Sequence, residues 1–225
     1  MVQSMDCRTS KKILVTSGPT RAYVDRIRYF ANTSTGILGS KIVEALLNRG
    51  IPVVHLYGLG SETPECKSRE LLESIEVITV NDVIDALKKV VSSGTISAVV
   101  HAMAVLDYVP ESKLPGKKKS RENFWDIRLV RTPKIIMILR ELLPDAYVVG
   151  FKLETGVTEE ELVKRAGVLV QKYLLDMVVA NDLDRVTRTQ HNALFINREN
   201  KILARLTTKD EIAEKLADII AGRFV

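Results

Sequence analysis

The segment Lys113–Arg121 carries five positive charges, Lys113, Lys117, Lys118, Lys119 and Arg121, and no acid. A short cationic segment broken by Pro115 and Gly116 suits a small, highly charged anion. A nucleic-acid binder usually spreads its basicity along a face or a helix. The competing reading is a solvated loop, the common fate of a lysine run. A second group is Arg28-Tyr29-Phe30-Ala31-Asn32-Thr33-Ser34-Thr35-Gly36, a hydroxyl-rich stretch that enters a helix at Gly36. Free backbone N–H groups at that start, with the Ser34 and Thr35 hydroxyls, would bind an anion. Arg28 would add a bidentate phosphate contact. Alternatively, Ser34 or Thr35 simply caps the helix. A third group is Ala102-Met103-Ala104-Val105-Leu106-Asp107. Small residues there let a planar ligand approach the backbone. Asp107 can accept from a ribose hydroxyl or help hold magnesium. Gly150-Phe151-Lys152 and Asn181-Asp182 end two further apolar runs with residues a core would not choose.

These groups fall at the ends of predicted strands. Lys12–Ser17 is an apolar, β-branched run stopped by Gly18-Pro19, and reads as a buried strand. Pro52–Tyr57, Ile75–Val80, Ile96–Ala102, Ala146–Phe151 and Asp176–Ala180 read the same way. Ile127–Val130 is a weaker strand candidate. Helices are predicted over Gly36–Arg49, closed by Gly50, and from Asn81 or Asp82 to Val91. Two more are predicted from Thr132-Pro133 to Leu142, with threonine as cap and proline at the first position, and from Thr158 with Glu159, Glu160 and Glu161 in its first turn. Ala193–Asn197 and Lys201–Arg205 read as a hairpin, and Thr208 caps a last helix over Lys209–Ile220. Strands alternating with helices imply a parallel sheet covered on both faces. Ligands of such sheets bind outside the carboxyl ends of the strands. The loops that matter then follow Ser17, Tyr57, Ala102, Phe151 and Ala180.

Composition narrows the classes. The chain has 225 residues, 46% apolar and 27% charged, which suits a globular domain rather than a disordered chain. Apart from the five charges of Lys113–Arg121 it holds 28 basic and 28 acidic side chains, so its net +5 sits on one segment. No apolar run approaches the ~18 residues of a membrane helix. Met1–Ser10 is polar and reads as a flexible tail, leaving one domain over 11–225. Cys7 and Cys66 can build neither a disulfide framework nor a metal cluster, and a cytoplasmic location with free thiols is expected. The histidines His55, His101 and His191 show no metal spacing. His55 is expected in the core, His101 at a strand end and His191 exposed. The loop after Ser17 lacks the three glycines of a dinucleotide fingerprint, and no acid follows Tyr57-Gly58 to hold a ribose diol. Both absences weigh against a nicotinamide-dependent oxidoreductase. A non-catalytic nucleotide- or nucleic-acid-binding module is the other competing class.

Six segments in order carry a resemblance: Thr16-Ser-Gly-Pro-Thr20, Arg28-Tyr-Phe-Ala-Asn32-Thr-Ser-Thr-Gly36, Ala102-Met-Ala-Val-Leu-Asp107-Tyr108, Gly116-Lys117-Lys-Lys, Val149-Gly-Phe151 and Val179-Ala-Asn-Asp182. Together they resemble phosphopantothenoylcysteine synthetase, the phosphopantothenate–cysteine ligase of coenzyme A biosynthesis, in its stand-alone bacterial form. The resemblance runs from about Lys11 to Val225 and implies an α/β, Rossmann-like parallel sheet sandwiched by helices. It implies a flap at about 109–123 and a dimer-contact segment at about 124–130, the latter in a homodimer. The implied reaction joins 4′-phosphopantothenate to L-cysteine through an acyl-nucleotidylate, using CTP or ATP and Mg2+, with no nucleic acid or membrane partner. By position, Lys117 is the flap lysine that closes on the nucleotide, and the flap is expected to order over it. Lys118 and Lys119 either assist or are solvated. Asn32 is the contact to the intermediate and Arg28 binds a substrate anion. Gly18, Ser34, Thr35 and Gly36 line the triphosphate loop. Ala104, Asp107 and Phe151 surround base and ribose, and Lys172 is a nucleotide-side lysine near the Asn181-Asp182 strand end. Magnesium is expected mainly on the phosphates, with Asp107 as a candidate ligand. Val105, Leu106, Val168 and Leu169 depart from the family pattern, which leaves CTP against ATP open.

Overall fold

The structure is a computed structural model that describes residues 11–66, 68–120, 122–187 and 189–224. The expected tail at 1–10, Cys7 and Arg121 lie outside the described residues. Its centre is an eight-stranded sheet. In chain order its strands are β1 (Lys12–Ser17), β4 (Val53–Gly58), β5 (Leu72–Val77), β6 (Ile96–His101), β9 (Tyr147–Glu154), β10 (Met177–Val186), β11 (His191–Asn197) and β12 (Ile202–Leu206). Two short ribbons stand apart: β2 (Arg21–Tyr23) with β3 (Tyr29–Ala31), and β7 (Tyr108–Pro110) with β8 (Leu129–Arg131). The helices are α1 (Ile37–Leu47), α2 (Val80–Ser93), α3 (Ile135–Leu142), α4 (Glu159–Tyr173) and α5 (Lys209–Phe224).

The sheet order is β12-β11-β10-β9-β6-β1-β4-β5. Six strands are parallel, and β11 and β12 close one edge as an antiparallel hairpin. From β1 the chain runs outward through β4 and β5, then returns to β1's other side at β6. The β1/β6 junction is therefore the topological switch point, where open α/β sheets bind ligands.

Two cores lie on the two faces. Leu14 faces the core shared with α2, α3 and α4, whereas Ile13 and Val15 face the one shared with α1 and α5. Strands buried on both faces must be apolar at every position, which is why they read as continuous runs.

Local signals set the ends. Gly50, at φ +71°, closes α1 with its N–H on the Leu47 carbonyl and the Ile51 N–H on Leu46, a Schellman arrangement. Helix α4 starts after Thr158 as expected, and Thr158 and Glu161 form a capping box there. Strands β9 and β10 run past their expected ends, to Glu154 and Val186, so Lys152 and Asn181-Asp182 lie within strands rather than beyond them. Three further boundaries differ for a local reason. The third strand lies at Leu72–Val77, because as an edge strand it exposes Glu73 and Glu76 and lacks an apolar run. Helix α2 is capped by Thr79, not by Asn81 or Asp82, because Thr79 and Asp82 satisfy each other's backbone N–H groups. Thr132 does not cap α3. Its hydroxyl donates to the Leu106 carbonyl at 2.6 Å, and the helix begins two residues beyond Pro133.

Candidate functional site

At the switch point the loops after β1 and β6 are joined. The Ala104 N–H donates to Gly18 O at 2.9 Å and the Thr20 N–H to Ala104 O at 3.2 Å. The Leu106 N–H donates to Thr20 Oγ1 at 2.9 Å. Pro19 pairs with Ala104 as an isolated bridge. Loops of this kind leave little room. A Cβ on Gly58 would lie 2.0 Å from the Pro19 carbonyl oxygen, and one on Gly18 (φ +74°) 1.9 Å from Ser61 Oγ. Ser61 also abuts Gly36 (φ +79°), so one serine fills the corner between two left-handed glycines.

Helix α1 opens at this corner with Gly36 as its N-cap and no side-chain cap. Neither Ser34 nor Thr35 caps it, so the capping alternative is set aside. The Thr35 carbonyl instead accepts from the Glu62 N–H at 3.0 Å. The first turn of α1 contains no acid. Uncapped N–H groups on the positive end of a helix favour an anion.

Asn32 and Ala104 are brought together. The Asn32 amide donates to the carbonyls of Ala104 at 3.1 Å and Val105 at 3.2 Å. Arg28 lies on the β2–β3 arm. Its guanidinium pairs with buried Asp25 at 2.7 Å and lies over the Trp125 ring, 5.6 Å from its centroid. Burial pushes the Asp25 carboxyl upward, but N–H groups of Ile27, Lys118 and Arg28 and the arginine charge outweigh it and hold it below the usual value. The cationic segment lies against this arm: the Leu114 N–H reaches Val24 O and the Arg26 N–H reaches Gly116 O. Lys117 and Lys119 are exposed, whereas Lys118 pairs with Glu122 at 2.5 Å.

Asp107 pairs with Lys134 Nζ at 2.5 Å. Both flank a pocket of about 210 Å³, lined also by His101, Met103, Gly150 and Phe151. Phe151 packs against the α1/α5 core, and Gly150 faces the opposite side toward Leu175 and Ile136. His101 stands 2.6 Å from Thr16 Oγ1 and His55, fully buried, 2.8 Å from Ser17 Oγ. Burial lowers both imidazoles to about 4, so they are neutral at pH 7. His191, expected to be exposed, is half-buried on β11, and burial with the Lys209 charge lowers it to about 4.

The course of β9, α4 and β10 places Lys172 and Asp182. Lys172 lies in the last turn of α4, its Nζ over the Tyr173 ring. Because α4 returns from the end of β9 to the start of parallel β10, the Lys172 backbone lies near the start of β10, while Tyr173, whose ring its Nζ covers, lines the pocket of Asp107 and Phe151. Asp182 is itself buried and accepts the N–H groups of Gly156, Val157 and Asp184, each at 3.1 Å. It fixes the loop that enters α4. Sequence reasoning missed Asp25, Ser61 and Lys134. An aspartate three residues before Arg28 carried a turn signal. Ser61 and Lys134 carried none.

Residues 8–223 match the model of the DNA/pantothenate metabolism flavoprotein C-terminal domain. The chain belongs to this family. Among relatives of the flavoprotein C-terminal domain is the coenzyme A biosynthesis bifunctional protein CoaBC of Thermococcus kodakarensis. It is 37% identical over 211 residues, which cover 93% of the chain and 51% of the relative. The chain thus spans about half the length of the curated relatives it matches. A solved DNA/pantothenate metabolism flavoprotein from Streptococcus pneumoniae is 33% identical with a TM-score of 0.85, covering 95% of this chain and 99% of that one. The solved C-terminal domain of a CoaBC protein is 25% identical with a TM-score of 0.74, covering 96% of each. The Rossmann-like α/β fold is shared with both solved structures. Among the described residues no helix is long and apolar enough to cross a membrane.

Proposed function

We propose that this domain is a phosphopantothenate–cysteine ligase of coenzyme A biosynthesis, acting in the cytoplasm. The 4′-phosphopantothenate carboxylate attacks the α-phosphate of a nucleoside triphosphate, with CTP ahead of ATP, and pyrophosphate leaves. The L-cysteine amine then attacks the acyl carbon of the nucleotidylate. Loss of an amine proton gives the amide, and the nucleoside monophosphate leaves. The observation that carries this reading is the seat of Asn32 on the Ala104 and Val105 carbonyls at the switch point, on the same arm that holds the cationic segment. The likeness to coenzyme A biosynthesis proteins supports it.

In this reading Gly18, Ser34, Thr35 and Gly36 hold the triphosphate at the uncapped start of α1. Ala104, Asp107 and Phe151 border base and ribose, and Lys134 joins them through its pair with Asp107. Asn32 steadies the acyl-nucleotidylate, Arg28 draws the anionic substrate, and Lys117 neutralises charge developing at the α-phosphate. Mg2+ travels with the phosphates and supplies further charge neutralisation there. Asp107, the candidate protein ligand, already pairs with Lys134, and no group of three ligating side chains occurs among the described residues. The active unit in this proposal is a homodimer, with 124–130 in the contact. Phe124 is 76% exposed and Leu129 44%, and Ile27 on the neighbouring arm is 57% exposed.

The test is pyrophosphate release with CTP, ATP, GTP and UTP in parallel. Sustained release that requires both phosphopantothenate and cysteine is expected. Release with none of the four, beside tight NAD(P) binding or salt-sensitive nucleic-acid binding, would end the proposal.

A further inference from the structure

Asp25 has no exposed surface, and its two oxygens do different work. Oδ1 accepts the N–H groups of Ile27 and Arg28, both at 2.8 Å, and so shapes the tip of the β2–β3 arm. A turn of this kind needs no more than that one oxygen, and asparagine would serve as well. Oδ2 makes two contacts that the turn does not need. It accepts Arg28 Nη1 at 2.7 Å and the backbone N–H of Lys118 at 3.2 Å, across 93 positions of sequence. Lys117 thus lies between two anchored neighbours, since Gly116 O accepts from the Arg26 N–H at 3.3 Å. Its backbone is held at both sides while its side chain stays exposed.

We propose that Asp25 is a positioning residue: its Oδ2 latches the lysine segment to the arm, so that the Arg28 and Lys117 cations reach the site in one fixed relation. The roles of those two cations rest on the ligase reading above; the latch itself does not. Asp25→Asn keeps an acceptor for the turn and turns an NH2 group toward Arg28 Nη1 and the Lys118 N–H, donor against donor. Lys118→Pro removes the N–H donor together with the Glu122 pair. Lys118→Ala keeps that donor and loses the Glu122 pair.

Hydrogen–deuterium exchange of the full chain reads the latch without any substrate. In Asp25→Asn and Lys118→Pro, exchange across 112–120 should rise on the order of tenfold, with β1 and β6 unchanged, and Lys118→Ala should match the unaltered protein. Unchanged exchange across 112–120 in Asp25→Asn, or equal acceleration in β1, would overturn the latch. Turnover adds a readout that a purely structural role would not give. Alone, Asp25→Asn should lower turnover about tenfold, but in a Lys117→Gln background by only about threefold, because Arg28 is then the one cation left for it to position. Losses that multiply would overturn the coupling. A chain that exchanges as described yet ligates nothing would instead overturn the ligase reading and leave the latch standing.

Discussion

The two ends of the sheet hold their charges in opposite ways. At the amino end, a cleft of about 410 Å³ is lined by Arg140 and Arg198, and both pair with Asp176, at 3.0 and 2.9 Å. Arg140 also donates to the carbonyls of Leu143, Pro144, Ala146 and Leu174, and Asp176 accepts the Val148 N–H. These charges are committed to holding the starts of β9 and β10. At the carboxyl end the pocket is about half that size, at about 210 Å³. There the helix start is uncapped, Lys117 points outward, and glycines bring backbone close together. Cavity size and the bonding state of the polar groups therefore rank the two ends in opposite order.

That contrast can be broken at several points. The largest effect is expected at Lys117. Lys117→Gln should lower pyrophosphate release ~100–1000-fold, the scale of losing one transition-state charge contact, with thermal unfolding unchanged. Near-normal turnover would remove the carboxyl-end assignment of this lysine. Next comes acid. His55 has a native pKa of about 4 against an ordinary 6.5, so the unfolded chain binds the proton more readily between those values. Stability is then full above pH 6.5 and falls as the pH drops toward 4, by roughly 3 kcal/mol for this one residue. Denaturant melts from pH 7 to 4 should show a shallower fall in His55→Gln; an identical slope would disprove the account.

Glycines give a smaller, paired test. Gly58→Ala drives a Cβ to within 2.0 Å of Pro19 O and should cost about 2–3 kcal/mol. Gly50→Ala, at the amino end, meets no atom within 4 Å and strains only its φ of +71°, at about 1 kcal/mol. Equal melting temperatures for the two variants would deny the close packing at the switch point. Asp176→Asn should cost stability by about 1–2 kcal/mol and leave turnover intact, because its partners are structural. A loss of turnover at constant stability would make the amino-end cleft a functional site.

Much of the fold was legible because buried parallel strands and capped helices leave local marks. Lys12–Ser17 is bounded by its own apolar run, and Thr158 and Gly50 announce their caps. Edge strand β5 left no run, since half its residues face water. The ribbons β2–β3 and β7–β8 have three residues per strand, too few to establish a period, and β7 meets β8 across a long excursion. At the site, Ala104 was readable from its place after a strand and Asn32 from its loop before a helix and the family resemblance, and the structure joins them. The place of Lys172 was not legible, because a position on a helix says nothing about which end of the sheet the helix returns to. Asp25 escaped notice because its partner Lys118 comes from the other ribbon's excursion, a pairing that no local window contains.

Strand β1 has neighbours on both sides and side chains in both hydrophobic layers. The turn at Gly18 hangs directly from it. A lesion in either layer, however distant from the reactants, therefore has a mechanical route to that turn, and amide protons of β1 should be among the last to exchange as the molecule comes apart.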